Sequence, residues 1–157
     1  MKLLALLLLL GSQAFPSQDQ TSWMQPDAFR LTLDMKRSVA TKMLEDSGWV
    51  TRPGKEPGHL IVDYDENRTI TLSFANGRLE SIRFELVDFI PRLQTAFEEQ
   101  RRSLEERLGK PDRTKEDILM YERTEPNVIV VKSTKSDSSF GKQGLGFLTV
   151  RYFAPAR

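Results

Sequence analysis

Residue types that do chemistry are few in this chain and widely separated. His59 is the one histidine, Asp63 and Asp65 stand two apart in "DYDENR", and Gly141, Gly144 and Gly146 punctuate "STKSDSSFGKQGLGF". An aspartate-rich turn can cage calcium in oxygen ligands. A calcium loop opening at Asp63 needs glycine sixth and glutamate twelfth, where this chain has Arg68 and Phe74. "DYDENR" therefore reads as a solvated turn. His59 follows Pro-Gly at a strand start, with no serine nucleophile motif and no second ligand nearby, and reads as structural or surface-lying. The glycines would suit a phosphate nest only if a helix followed, and no helical pattern does. With no cysteines, thiol catalysis and cysteine-ligated zinc are excluded. No catalytic residue, metal ligand or cofactor is assigned from these patterns. Carboxylates distant in sequence leave an enzyme of unrecognised chemistry as a third reading, behind two that work by binding.

The binding candidates lie in two places. The run Ser133–Phe147 joins two strong strand patterns where two to five residues would usually do. It presents one aromatic, Phe140, among small polar residues, with Lys135 and Lys142 nearby. A flexible hairpin tip is the plainer reading of that composition, and a recognition loop is the functional one. The second candidate is the polar face of the first strands, Thr69, Thr71, Ser73, Ser81, Arg83 and Glu85, which suits solvent or a flat protein contact equally. Arg83 and Glu85 are its charged members.

Composition narrows the partner. "MKLLALLLLLGSQA" has a positive start, a short apolar core and a small-x-small end, so residues 1–14 read as a secretory signal peptide cleaved after Ala14. The apolar run is far short of the roughly 20 residues a spanning helix needs. The 23 basic residues lose Lys2 with the leader and then stand level with the 22 acidic ones, which argues against nucleic acid. No later segment is apolar enough for a stable membrane anchor. A periplasmic or secreted soluble protein is expected, acting on another protein.

Positioning these residues requires two helices and several strands. Residues 15–32 are polar and proline-punctuated, and read as an extended arm or linker on which Trp23 and Met24 pack loosely. Asp34 is expected to cap a helix with an apolar stripe of Met35, Val39, Ala40, Met43 and Leu44, stopped by Gly48. "HLIVDYDE", "TITLSFA" and "LESIRFEL" alternate as three strands, the last two joined by Asn76-Gly77. A second helix starts near Pro91, with Leu93, Phe97, Leu104 and Leu108 on one side, and stops at Gly109. "DILMYER", "NVIVVKS" and "LGFLTVRYF" are three more strands. The predicted fold class is α+β: two helix–three-strand units, residues 33–88 and 89–157, with the helices packed on one face of an antiparallel sheet. These units form one domain, 33–157.

The stretches "LDMKRSVATKMLEDSGW" (Leu33–Trp49) and "LEERLGKPD" (Leu104–Asp112) carry a resemblance. With the element order, they resemble the small envelope proteins of the BamE/SmpA-like group and the related beta-lactamase-inhibitor-protein-like fold. Asp34 stands where that pattern has glycine, and the lipid-anchor cysteine is absent. The resemblance implies a helical layer over a meander. The leading functional expectation is an exported, non-enzymatic protein-binding module of the bacterial envelope. The alternative is an inhibitor or accessory factor of a hydrolase, acting through the 133–146 loop.

Overall fold

The computed structural model describes residues 20–122, 125–134 and 144–155. Period-two alternation builds most of what it contains. Strands β1 (Thr51–Pro53), β2 (His59–Asp63), β3 (Arg68–Ala75) and β4 (Arg78–Phe89) form one meander. Strands β5 (Arg113–Lys115), β6 (Ile118–Tyr121), β7 (Asn127–Thr134) and β8 (Leu145–Phe153) form another. The two meet along β4 and β8, which pair from Ser81–Phe153 to Phe89–Leu145. The result is a single eight-stranded antiparallel sheet in the order β1-β2-β3-β4-β8-β7-β6-β5.

This overturns the expected pair of helix–three-strand units packed on a sheet. The described residues hold one eight-stranded sheet and two α-helices, α1 (Arg37–Asp46) and α2 (Ile90–Leu108), and the strands of both expected units belong to that one sheet. Helix α2 runs against β8, β4 and β7, whereas α1 meets only the edge strand β1 to any extent. The coarser class, α+β with an antiparallel sheet, stands. Strands β1 and β5 are not expected from the sequence because each is only three residues long, too short for alternation to register.

Helix α1 also differs in detail. Its first residue is Arg37, with Lys36 as the cap position, and Asp34 is not a cap. Asp34 sits at φ 69°, and its carboxylate takes a 2.9 Å hydrogen bond from Arg78 Nη1. Of the predicted stripe only Ala40 and Leu44 are buried, and Val39 is 45% exposed, as an edge position allows. The glycine stop is as expected: Gly48 has φ 82°, and the amides of Gly48 and Trp49 donate to the carbonyls of Glu45 and Leu44 at 2.9 Å each. Trp49 then turns back to stack on Tyr64, with ring centroids 5.0 Å apart.

The core fills one face of the sheet. Ile70, Leu72, Ile82, Phe84, Val130, Leu148 and Val150 point there, against Leu93, Ala96, Phe97 and Leu104 of α2. The polar arm joins them. Trp23 and Met24, expected to pack loosely, are 5% and 0% exposed. Met24 carbonyl oxygen accepts a 3.1 Å hydrogen bond from the Tyr152 hydroxyl, and Phe29 lies among Trp49, Tyr64 and Phe84. Proline and glutamine made the arm look like a linker, yet its widely spaced large apolar residues close the core. No helix among the described residues is long and apolar enough to cross a membrane.

Candidate functional site: the open face of the sheet

Because side chains alternate, each strand sends its other residues to the face opposite α2. Registers place them in cross-sheet rows. One row reads Arg52, Ile61, Thr71, Arg83, Arg151, Ile129, Met120 and Arg113 across all eight strands. The next, on the same face, holds Asp63, Thr69, Glu85, Thr149, Val131 and Ile118 over its central strands. None of the described helices packs here, and nearly all of these side chains are exposed or half-buried.

The two halves of this face differ in chemistry. On β2 to β4 it is polar, as the alternation predicted, with Thr69, Thr71, Ser73, Ser81, Arg83 and Glu85 together. On β6 to β8 it is largely apolar: Ile118, Met120, Ile129 and Val131 face outward, half-buried by one another. The sequence of β6 to β8 marks them as strands but not which face is which. Their near-continuous apolar character hid that both faces carry hydrophobic side chains.

Where the halves meet, Arg83 of β4 stands directly opposite Arg151 of β8. The Arg83 guanidinium reaches Thr71 Oγ1 at 3.5 Å, and that of Arg151 reaches Ser81 Oγ at 3.3 Å. Both hydroxyl residues are nearly buried, at 8% and 2% exposure, beneath the arginine stems. A shallow cavity of about 300 Å³ opens above them, completed by Ser73, His59 and Glu56. Nothing local in the sequence marks Arg151, because its neighbour across the sheet lies 68 positions away and only the β4–β8 register reveals it. Glu85 lies on the same face between Thr69 and Thr149, half-buried. Phe140, Lys135 and Lys142 lie outside the described residues.

The remaining candidates resolve into local structure. Asp63 takes a two-pronged contact from Arg52, at 2.6 and 3.0 Å, which holds its carboxyl below the ordinary range. Burial pushes the Asp65 carboxyl upward, but hydrogen bonds from Arg68 and the Asn67 amide more than offset this and leave it lowered. Among the described residues no cluster of three His, Asp or Glu is placed to hold a metal. His59 Nε2 lies 3.5 Å from the Glu56 carboxylate at the cavity rim. Burial pushes the Tyr121 and Tyr152 phenols up to about 12, where they remain protonated donors.

A groove of about 310 Å³ lies on the opposite, core-side face of the sheet, between Leu31, Leu108 and Tyr152, with Arg107, Asp27 and Glu125 around it. Its lining mixes both charges and is mainly apolar. No protein family, curated protein or solved structure matches the chain.

Proposed function

We propose that this chain is a protein-binding module that docks through the open face of its sheet, and that it does so after export. One observation carries the reading. The outward side of β6 and β7 shows Ile118, Met120, Ile129 and Val131 in adjacent rows, where a face meant only for water would alternate polar residues. The polar half beside it supplies the hydrogen-bonding rim that interfaces commonly have. The leader pattern of residues 1–14 supports export, to a periplasm or beyond.

The test is a cross-linked capture from envelope extract with the mature chain, comparing two single substitutions. Ile129→Arg places a charge in the middle of the outward apolar half and should abolish capture of a stoichiometric partner while leaving the melting temperature nearly unchanged. Val50→Arg changes another exposed apolar residue, 81% accessible and away from that half, and should leave capture intact. Equal capture by both variants would refute docking through this face. A hydrolase as the captured protein, together with loss of its inhibition on Phe140→Ala, would instead favour inhibition through the 133–146 loop. N-terminal sequencing of the exported protein should begin at Phe15, and a retained Met1 would refute export with cleavage.

A further inference from the structure

We propose that Arg83 and Arg151 form a seat for a single acidic side chain of the docking partner. This rests on the docking reading above and names the chemistry at its centre.

Like charges directly opposite on neighbouring strands destabilise a sheet, so the fold alone gives no reason to pair two arginines there. The same row shows how this sheet otherwise treats arginine. At its two ends Arg52 meets Asp63 at 2.6 Å, and Arg113 meets Glu122 at 3.0 Å. Arg83 and Arg151, at the middle, have no carboxylate within ion-pair distance among the described residues. Their hydrogen bonds go to Thr71 and Ser81, neutral groups that orient the guanidiniums without discharging them. The Arg151 guanidinium is further held 5.5 Å above the Phe153 ring. Each therefore keeps donors free in a fixed fork, the geometry that matches a carboxylate.

The surroundings select the occupant. Glu56, the one carboxylate of the cavity lining, is turned to His59 at 3.5 Å. The space of about 300 Å³ accepts a side-chain head group. Immediately across β7 the row continues as Ile129 and Met120, so an anion seated here has an apolar contact surface beside it. An acidic residue within an otherwise apolar protein segment satisfies both parts at once. Buried arginine–carboxylate contacts of this kind are common energetic centres of interfaces.

The experiment uses the ¹⁵N-labelled mature chain titrated with a capped hexaglutamate peptide, and separately with sodium phosphate, at matched ionic strength. The peptide should shift the Arg83 and Arg151 side-chain N–H signals and the Thr71 and Ser81 amides saturably. Arg83→Gln and Arg151→Gln should each weaken binding about tenfold or more, as loss of a charge-assisted contact implies. Arg83→Lys keeps the charge but loses the fork, and should fall between. Both side chains are exposed, and melting curves matching the parent confirm that each variant folds. An absent or non-saturating response, unchanged affinity in folded variants, or phosphate binding as tightly as the peptide would each overturn the seat. If the peptide fails while the partner is still captured and lost only on Ile129→Arg, the seat falls and the docking reading stands. A saturable peptide response without any captured partner supports the seat and refutes the docking.

Discussion

Single ion pairs in this molecule are local devices, and Asp65 illustrates how they respond to pH. Its carboxylate takes a 2.6 Å hydrogen bond from Arg68 Nε, whose guanidinium lies 4.3 Å over the Tyr64 ring and 5.7 Å from that of Trp23. The interaction thus ties the β2–β3 turn to the aromatic core cover. Because the folded carboxyl titrates below its ordinary value of 3.8, its contribution is present above that pH and disappears as pH falls further. Asp65→Asn should cost about 0.5 kcal/mol near neutrality, a figure kept small by solvent screening at a partly exposed pair. Melting curves of parent and variant, compared from pH 7 down to pH 2, should converge below the ordinary carboxylate range. A constant gap at every pH would mean that the charge of Asp65 contributes nothing. This turn was readable as a solvated turn from "DYDENR", since local spacing decides it. The Arg83–Arg151 pair was not, because a contact across two distant strands leaves no local trace.

At the scale of elements, chain reversals were the most legible feature. Asn76 and Gly77 both adopt positive φ, at 50° and 73°, as a two-residue hairpin between β3 and β4 requires. Gly109 ends α2 with φ 82° and ψ −167°, a backbone region open essentially to glycine alone. Nothing lies within 4 Å of where its side chain would begin, so the backbone, not crowding, sets the requirement. Gly109→Val should therefore lower stability by about 1–3 kcal/mol and leave the open face untouched. Gly48, at φ 82° in an ordinary left-handed helix stop, should cost less on replacement by alanine, about 1 kcal/mol. Thermal melts of the two variants rank them, and equal or absent losses would place the strain elsewhere. Where an element lacked enough length to show a period, sequence was silent, as with β1 and β5. Where an apolar stripe existed but its neighbour was unknown, as in α1, sequence named the helix and misjudged its burial.

The whole molecule is governed by its middle seam, and that explains why a division into two units misdescribed it. β4 and β8 pair over nine positions, so the last strand of each meander is the other's neighbour. Phe84 on β4 sits at 0% exposure, between the seam and the arm. Its ring meets Tyr152 of β8 edge-on at 5.9 Å, Trp23 of the arm at 5.8 Å and Phe29 at 6.0 Å. Removing it takes packing from both meanders and from the arm together. Phe84→Ala should cost about 3–5 kcal/mol through lost transfer energy and the cavity left behind. For a chain of this length that corresponds to a fall of roughly 10 °C in melting temperature. The decisive readout is the shape of the transition. If the seam binds the sheet into one cooperative unit, the variant melts in a single step, with aromatic near-ultraviolet and backbone far-ultraviolet signals lost together. Two separated steps, one near the parent's melting temperature, would show that a meander holds its structure without the other. The seam would then be a contact between units instead of the centre of one sheet. A single lowered step would also place the Arg83–Arg151 pair on the most cooperative part of the molecule, where two exposed side chains are held in fixed relation by the core beneath them.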